Sequence, residues 1–195
     1  DGGKTWNFQN IGLNNTYLIL DKVFFIDHQN GWILGNPWSS ATYLFSTQNG
    51  GQTWDPTQNQ LPENFVATDI YFVNRCDGWM TGRNNYSGHG NIYYTDDGGK
   101  TWQNKFTYHV SWTFTQVQFL DSLTGWVAGD DFISKIMFTQ NSGQTWSSIF
   151  DGDNRITDFV FLDNNHGWVI INQPWFASWF GAQHFPTELY YTENG

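Results

Sequence analysis

The chain of 195 residues carries 8 Lys and Arg against 18 Asp and Glu, a formal charge of −10, and 19% of its residues are aromatic. So large an aromatic fraction excludes a mainly disordered chain, because it provides enough apolar surface for a packed core. Its few scattered cations cannot form the continuous basic surface that phosphate groups require, so we exclude nucleic acid and anionic membrane surfaces as expected partners.

Further classes are excluded by apolar run length and by cysteine content. No apolar run reaches the roughly 18–20 residues that a membrane-spanning helix needs, so we predict no membrane span. The single cysteine, Cys76, excludes an internal disulfide framework and Cys-rich metal sites. None of the five histidines pairs with a nearby His or Cys at metal-ligand spacing, and we predict neither a metal nor a cofactor.

Two short motifs recur along the chain with the same period. The first is a turn that begins with Asp or Asn, contains Gly and ends in Thr-Trp, and the second is the pair Gly-Trp. Shared periodicity of two motifs indicates a repeat protein. The first motif begins at Asp1, Asn49, Asp97 and Asn141, and ends at Trp6, Trp54, Trp102 and Trp146. The second motif ends at Trp32, Trp79, Trp126 and Trp168.

Each repeat is predicted to contain four short strands. An apolar run forms the first strand, a polar turn follows, and the Gly-Trp pair opens the second strand. A variable loop leads to the third strand, after which the Asp/Asn-Gly turn leads into a Thr-Trp strand. The first strands are predicted at residues 23–26, 70–73, 117–120 and 159–162, and the third strands at residues 43–47, 92–95, 136–139 and 189–192.

The recurring turn has a physical basis in its residue types. Asp or Asn accepts hydrogen bonds from backbone N–H groups that follow it, and glycine adopts positive φ without steric cost. A large indole at one place in every repeat is better explained by packing between neighbouring repeats than by a ligand. The Asp/Asn and Trp positions of the turn, including Asn194 of a further half-turn, are therefore assigned structural roles.

Four-stranded units of this length predict an all-β fold, a β-propeller, while a sandwich or a β-solenoid stays open as an alternative. The segment from Thr95 to Trp102 resembles the Asp-box of bacterial neuraminidase-type repeats. Together with the Gly-Trp-x-x-Gly strand, the repeat is most similar to that of the photosystem II stability and assembly factor family. The resemblance implies a propeller that binds membrane-protein partners in photosynthetic membranes through an arginine-rich surface, and usually one with more blades than this chain has repeats.

We predict one propeller domain over residues 1–195. Its approximate repeats are 7–54, 55–102, 103–146 and 147–195, with residues 1–6 completing the last blade or a preceding one. Residues 192–195 read as the first half of the recurring turn and residues 1–6 as its second half. Two explanations stay open, a closed ring of four blades and an excerpt of a longer array, and we favour the excerpt.

Glycosidase chemistry is the one enzyme class that the motif suggests, because Asp-boxes occur in sialidases and in xyloglucan-cleaving propellers. Sialidases of this fold hold the substrate carboxylate with three arginines, whereas Arg75, Arg83 and Arg155 occupy different repeat positions here and are not expected to converge. The candidate carboxylates for a two-carboxylate glycosidase are Asp69, Asp158, Asp130 and Asp131. The first two recur with the repeat and the last two lie in a loop, so we predict no enzyme activity.

The loops between second and third strands vary most, and in a propeller they gather on one face. Four aromatic residues of these loops are the candidate binding residues, for stacking on a sugar ring or for contacting another protein: Trp38, Tyr86, Trp175 and Trp179. Alternatively, the tryptophans of the longest loop fold back as a local apolar plug. Another protein or a glycan is therefore the expected partner, and self-assembly is a further possibility.

The leading prediction is a non-enzymatic propeller that serves as a protein-interaction scaffold or assembly module. We expect it to be secreted or surface-exposed, because its polar residues are mainly Asn, Gln, Ser and Thr and because Asn14 and Asn85 lie in glycosylation sequons. Two alternatives stay open: a carbohydrate-binding or glycoside-hydrolase-like propeller, and a structural subunit of an extracellular filament.

Overall fold

Four antiparallel sheets form a β-propeller in the computed structural model, which describes residues 3–11, 18–37, 42–56, 61–130, 134–152, 154–172 and 187–194. Within each sheet the strands lie side by side in chain order.

Blade 1 contains β1 (Leu18–Phe25), β2 (Gly31–Pro37), β3 (Tyr43–Thr47) and β4 (Asp55–Pro56). Blade 2 contains β5 (Phe65–Phe72), β6 (Gly78–Asn84), β7 (His89–Thr95) and β8 (Gln103–Ser111). Blade 3 contains β9 (Thr113–Phe119), β10 (Gly125–Asp130), β11 (Ser134–Thr139) and β12 (Ser147–Gly152). Blade 4 contains β13 (Arg155–Phe161), β14 (Gly167–Asn172) and β15 (Thr187–Thr192).

The predicted propeller is confirmed, and the predicted first, second and third strands lie within a few residues of the observed ones. The fourth strands differ in position, because each begins after the tryptophan of the recurring turn. The indole belongs to the turn and packs inward, so the backbone pairs with the third strand only from the next residue onward. The sheets of blades 1 to 3 consequently run past the ends of the predicted repeats.

Successive blades are joined by a repeated aromatic stack. Trp79 of blade 2 lies parallel to Phe119 of blade 3, with ring centroids 3.6 Å apart. The same phenylalanine covers Gly125 of its own blade, where an added Cβ would lie only 2.4 Å from the ring. This explains the Gly-Trp pair. The glycine leaves room for the phenylalanine ring of its own blade, and the tryptophan of the preceding blade stacks on that ring. The equivalent stacks are Trp32 on Phe72 at 3.6 Å and Trp126 on Phe161 at 4.2 Å.

The recurring turn is closed by a buried threonine hydroxyl. Thr95 donates to Asp97 at 2.8 Å and accepts the backbone N–H of Gly99 at 2.9 Å. Asp97 in turn accepts the N–H of Thr101 at 2.9 Å, and Trp102 donates its indole N–H to the Gly99 carbonyl at 3.1 Å. The turns at Asn49 and Asn141 repeat the threonine and Asn/Asp contacts. The structural role predicted for these positions therefore has a physical basis in all three complete turns.

The indoles of these turns also contact the interface between blades. Trp102 lies edge-on to Phe72, the ring on which Trp32 of the preceding blade stacks. Trp54 on Phe25 and Trp146 on Phe119 repeat this contact. Each phenylalanine at the end of a first strand can therefore hold two tryptophans, one flat and one edge-on.

Three apolar clusters fill the spaces between successive blades. In the described residues, the strands of blades 1 and 4 form no comparable interface. Residues 5–11 belong to no sheet, and the side chain of Trp6 is 89% exposed. The assignment of residues 1–6 to a blade therefore stays a prediction. Among the described residues, no helix has the length and apolar character to cross a membrane.

Candidate functional site

The loops of the propeller lie on two opposite faces, because neighbouring strands in every blade are antiparallel. In blade 3, Asp130 lies opposite Thr113, and Ser134 lies opposite Gly152. The strand ends that lead from second to third strands, and those that lead to the next blade, therefore share one face, which we call the loop face. The recurring Asp/Asn-Gly turns lie on the opposite face, the turn face.

A β-bulge at one position of every first strand determines which side chain reaches the channel between the blades. In blade 2 the bulge lies at Thr68, whose hydroxyl donates to the carbonyl of Thr81 at 3.1 Å. Bulges redirect the side chain that follows them. The other bulges lie at Asp21, Thr115 and Thr157. The residues that follow the four bulges are Lys22, Asp69, Gln116 and Asp158.

These four side chains line a single cavity of about 500 Å³ near the loop-face end of the first strands. We call it the mouth cavity. Its other lining residues are Thr115, Arg155, Ile156 and Thr157. Strands of all four blades thus contribute to one polar site.

Asp69 connects three blades within this cavity. Its Oδ1 lies 2.7 Å from Nζ of Lys22 in blade 1, and its Oδ2 accepts the backbone N–H of Val117 in blade 3 at 3.0 Å. Oδ1 also accepts the N–H of Ile70 in its own blade at 2.9 Å. Lys22 has the same position in blade 1 as Asp69 in blade 2, but its ammonium group has no acceptor and cannot bond the N–H of Ile70 in the next blade. Asp69 therefore accepts this N–H itself.

Gln116 connects blades 3 and 4 in the same way. Its amide oxygen accepts the N–H of Phe159 at 3.2 Å, and its amide nitrogen donates to Asp158 Oδ1 at 2.7 Å. Gln118, two residues further along the strand, bonds both the N–H and the carbonyl of Phe161. The first strands are therefore linked by side chains that replace the backbone bonds of a continuous sheet.

The titration of Asp69 follows from its burial. The side chain is almost fully enclosed, and burial raises the pKa of its carboxyl group because the charged form loses hydration. The ammonium of Lys22 opposes this effect most strongly, and the N–H groups of Val117 and Ile70 oppose it further. Burial is the larger influence, so the carboxyl group is held in place by its partners at a cost in desolvation.

Two cations on the loop face are also paired. Arg155 Nε lies 3.0 Å from Asp130 Oδ2, and Lys135 forms an ion pair with Asp151. Asp158 is exposed, and within the described chain no cation pairs with it. Two cations and two carboxylates line the mouth cavity, and of the two carboxylates Asp158 is the one without a cation partner in the described chain. Its side of the cavity therefore has a negative character.

Of the four predicted binding residues, one falls within the described part of the chain. Tyr86 lies in the loop between β6 and β7, on the loop face, and its side chain is 93% exposed. Trp38, Trp175 and Trp179 lie outside the described residues, as do Asp1 and the sequon residue Asn14. The second sequon residue, Asn85, is exposed beside Tyr86. Tyr86 thus lies on the predicted face, while the binding role of all four residues stays a prediction.

The candidate carboxylates of a glycosidase fall into two groups. Asp69 and Asp158 line one cavity, because each follows the bulge of its first strand. Both oxygens of Asp69 are already bonded to protein groups, however, and Asp130 pairs with Arg155. Asp131 lies outside the described residues. The arrangement at Asp69 fits a structural connection between blades better than a free acid or base.

Lys22 and Gln116 were missed by the sequence analysis. The sequence does contain a signal for these two residues, because both directly precede the apolar run of a first strand, as Asp69 and Asp158 do. Their chemical types differ, which conceals the shared position. Within the described chain, no group of three or more His, Cys, Asp or Glu is arranged to hold a metal ion.

Comparison with known proteins gives one family and several similar structures. The model of the family described as photosynthesis system II assembly factor YCF48 matches residues 55–156. A solved structure titled "YCF48 bound to D1 peptide" is 17% identical, with a TM-score of 0.60, covering 88% of this chain and 55% of that one. YCF48 from Cyanidioschyzon merolae is 15% identical, with a TM-score of 0.55, covering 78% of this chain and 48% of that one.

A glycoside hydrolase of family GH74 from Niastella koreensis is also similar in fold. It is 14% identical, with a TM-score of 0.59, and the match covers 78% of this chain and 26% of that one. No curated protein sequence matches the chain. The chain spans about half the length of the two YCF48 structures, and at these identities the structural likeness establishes the fold alone.

Proposed function

Because the chain belongs to the family of the photosynthesis system II assembly factor YCF48, we propose that it is a protein-interaction module that holds an extended segment of a partner protein at the mouth cavity. The observation that carries this proposal is the cavity itself, a polar site on the loop face to which all four blades contribute. A similar structure, YCF48, is described with a bound D1 peptide, and a peptide is the ligand class that we infer for this chain.

The charge of the mouth cavity indicates the chemistry of the partner segment. Lys22 and Arg155 are each paired with a carboxylate, whereas Asp158 is exposed and, among the described residues, accepts the amide N–H of Gln116 and pairs with no cation. Electrostatic complementarity then favours a segment that carries Lys or Arg. The hydroxyls of Thr115 and Thr157, which also line the cavity, can accept or donate bonds to an extended peptide backbone.

Two synthetic peptides that differ only in charge test this proposal. One is a twelve-residue extended peptide with three lysines, and the other carries glutamate at the same three positions. We expect fluorescence anisotropy to show saturable binding of the lysine peptide and no binding of the glutamate peptide. Equal binding of both peptides, or of neither, would overturn the proposed site chemistry.

A matched pair of variants locates the binding site. Asp158→Asn removes one carboxylate from the mouth cavity, and Asp96→Asn removes one exposed carboxylate from the turn face. We expect Asp158→Asn to weaken binding of the lysine peptide about tenfold, and Asp96→Asn to leave it close to wild type. Equal weakening by both variants would show a general charge effect instead of a site.

Carbohydrate binding is the second candidate, and its specific support is the presence of Asp69 and Asp158 in one cavity. The engaged oxygens of Asp69 favour recognition over cleavage. A glycan array with the wild-type chain and with Tyr86→Ala tests this candidate. Saturable binding of a glycan that Tyr86→Ala abolishes would favour it over the peptide, and absence of binding would remove it.

A secreted or surface-exposed location, an extracellular filament and a glycoprotein character stay proposals. The exposure of Asn85 supports the glycoprotein proposal, because glycosylation needs an accessible sequon. Treatment of the native protein with a deglycosylating enzyme tests the last of these. We expect a loss of mass that Asn85→Gln reduces, and an unchanged mass would remove glycosylation from the proposal.

A further inference from the structure

Two histidines lie side by side at the loop face, on the two outer strands of blade 2. His89 begins β7, and His109 lies near the end of β8. Their ring centroids are 5.4 Å apart, and the two ring planes make an angle of 81°. The residues are 20 positions apart in sequence, so short-range spacing does not reveal the pair.

An irregularity in the pairing of β7 with β8 shapes this arrangement. Gly90 lies opposite Tyr108. A regular antiparallel ladder would then place His89 opposite His109, but His89 lies opposite Ser111. His109 and the residue after it therefore form a bulge, and bulges redirect side chains. The bulge leaves the ring of His109 beside that of His89, while the strand continues past it.

The backbone around the two histidines is held by the core and by the neighbouring loop. Tyr108, directly before the bulge, packs on Trp112 with ring centroids 5.2 Å apart, and both contribute to the apolar cluster between blades 2 and 3. The carbonyl of Gly88 accepts the N–H of Trp112 at 3.1 Å, and the N–H of His89 donates to Ser87 Oγ at 3.3 Å. A site on strands held in this way loses little freedom when it binds a ligand.

Both imidazoles are accessible to a ligand from solution. His109 is exposed and His89 is half-buried. Among the residues that the structure describes, no hydrogen bond or ion pair engages a ring nitrogen of either one. His166, by contrast, contacts Asp163 through Nδ1 at 2.9 Å. The pair in blade 2 therefore offers unused imidazole nitrogens at one place on the surface.

The separation of the two rings is close to that of two imidazoles on one metal ion. Zinc binds imidazole nitrogen at about 2.0–2.1 Å with tetrahedral geometry, which places the centroids of two bound rings about 5 Å apart. The observed separation of 5.4 Å is near this value. A small rotation of the exposed ring of His109 about its side-chain bonds would bring one nitrogen of each ring to the ion. Imidazole suits Zn²⁺, Ni²⁺ and Cu²⁺, whereas Ca²⁺ takes oxygen ligands.

We propose that His89 and His109 together bind one divalent transition-metal ion, of the class of Zn²⁺, Ni²⁺ and Cu²⁺, at the loop face of blade 2. The imidazoles fill two of the four positions of a tetrahedral zinc ion, and water fills the other two. The pair binds more tightly than a lone imidazole, because the first bond places the second nitrogen at a high effective concentration. The site is separate from the mouth cavity, which residues of the first strands line.

Isothermal titration calorimetry of the untagged 195-residue protein with Zn²⁺ tests this site. We expect saturable binding of one ion per chain at the tightest site. His89→Ala and His109→Ala should each weaken this binding about tenfold or more, because one imidazole alone has no second ligand beside it. The matched controls are His28→Ala and His166→Ala, which each remove one exposed imidazole of the turn face and should bind zinc like wild type.

Thermal unfolding separates loss of the site from loss of the fold. An ion that binds only the folded chain raises Tm, so zinc should raise Tm of the wild type and of both controls, but not of His89→Ala or His109→Ala. Because His109 is exposed, its variant removes the ligand without disturbing the core. Absence of zinc binding by the wild type would overturn the proposal. Weakening by only one of the two site variants, or equal weakening by the controls, would overturn the shared site.

Calcium is the matched probe for a general attraction of cations to an acidic protein. The same titration with Ca²⁺ should show no binding that His89→Ala or His109→Ala weakens, because imidazole is a poor ligand for this ion. Calcium binding that both variants weaken as strongly as zinc binding would overturn the assignment of imidazole nitrogen as the ligand.

Discussion

Trp79 and Phe119 lie face to face with their ring planes 9° apart, although they belong to different blades and are 40 positions apart in sequence. Phe119 also covers Gly125 and receives the edge of Trp146. One ring thus contacts the two motifs that define the repeat. The periodic glycine and tryptophans are consequences of this single packing arrangement, and its stacked Trp–Phe pair recurs at each described interface between blades.

Replacement of Trp79 by alanine should destabilise the protein strongly. The side chain is fully buried, and its loss leaves a cavity against Phe119 that the rigid sheets cannot close. We expect a loss of about 3–5 kcal/mol in the free energy of unfolding, measured by urea denaturation.

Trp168→Ala is the matched control, because Trp168 has the same repeat position but a partly exposed indole. Its loss of stability should be clearly smaller. Equal losses for the two variants would contradict the assignment of the stack as the main contact between blades.

Thr95→Val should weaken the recurring turn of blade 2. Valine keeps the shape of the buried side chain but leaves the N–H of Gly99 without its acceptor and removes one of the donors to Asp97. We expect a loss of about 1–3 kcal/mol in urea denaturation. Thr101→Val is the comparison, since the hydroxyl of Thr101 is exposed and water can replace its bond to Asp97. A larger effect of Thr101→Val would contradict the role given to the buried hydroxyl.

Acid should destabilise the protein through carboxylates in the turns that follow first strands. The backbone N–H of Gln29, the side chain of Asn30 and the N–H of Asn30 lower the pKa of Asp27 from 3.8 to about 2. A group whose pKa falls on folding stabilises the protein above its unfolded pKa, and this contribution disappears as the pH falls through the folded value. We expect Tm to decrease between about pH 4 and pH 2.

Asp27→Asn should make this decrease smaller while it preserves the turn. An asparagine at the equivalent position of blade 2, Asn74, accepts the N–H groups of Cys76 and Asp77 in the same way. Thermal unfolding followed by circular dichroism from pH 2 to pH 6 measures the difference. An unchanged pH profile in the variant would show that Asp27 does not contribute to the acid sensitivity.

Lys22→Met should destabilise the protein at neutral pH and much less in acid. The substitution leaves the buried carboxylate of Asp69 without its cation, and because Lys22 is partly exposed we expect a loss of about 1–3 kcal/mol. Folding raises the pKa of Asp69, so this carboxyl takes up a proton as the pH falls through that raised value. The cost should then decline, since a neutral carboxyl needs no cation. A cost that is independent of pH would contradict the ion pair.

The repeat and its strands were predictable because their causes are local. Glycine and Asp or Asn define the turn, and the apolar run before the polar turn defines the first strand, so the period was visible in one chain. The position of the fourth strand was less predictable, because Trp54 and its equivalents belong to the turn through a contact with a distant phenylalanine. That contact depends on the assembled blade.

The mouth cavity was only partly predictable for a related reason. Asp69 and Asp158 were recognised as carboxylates at one repeat position, but their environments differ between blades. Asp69 is buried because Lys22 and Val117 of the adjoining blades bond to it, whereas Asp158 is exposed. Gln116 has the same place and no charge, so a search for ionisable residues does not find it. The role of each residue depends on its neighbours in the adjoining blades, which the spacing of one repeat does not specify.

Amide NMR of the 195-residue protein, titrated with the lysine peptide described above, tests the central claim most directly. The account predicts that the signals of Thr115, Gln116, Thr157 and Phe159 at the mouth cavity shift in a saturable way, while those of Gly50, Gly98 and Ser142 on the turn face do not. Shifts confined to the turn face, or no shift at saturating peptide, would contradict the assignment of the mouth cavity as the interaction site.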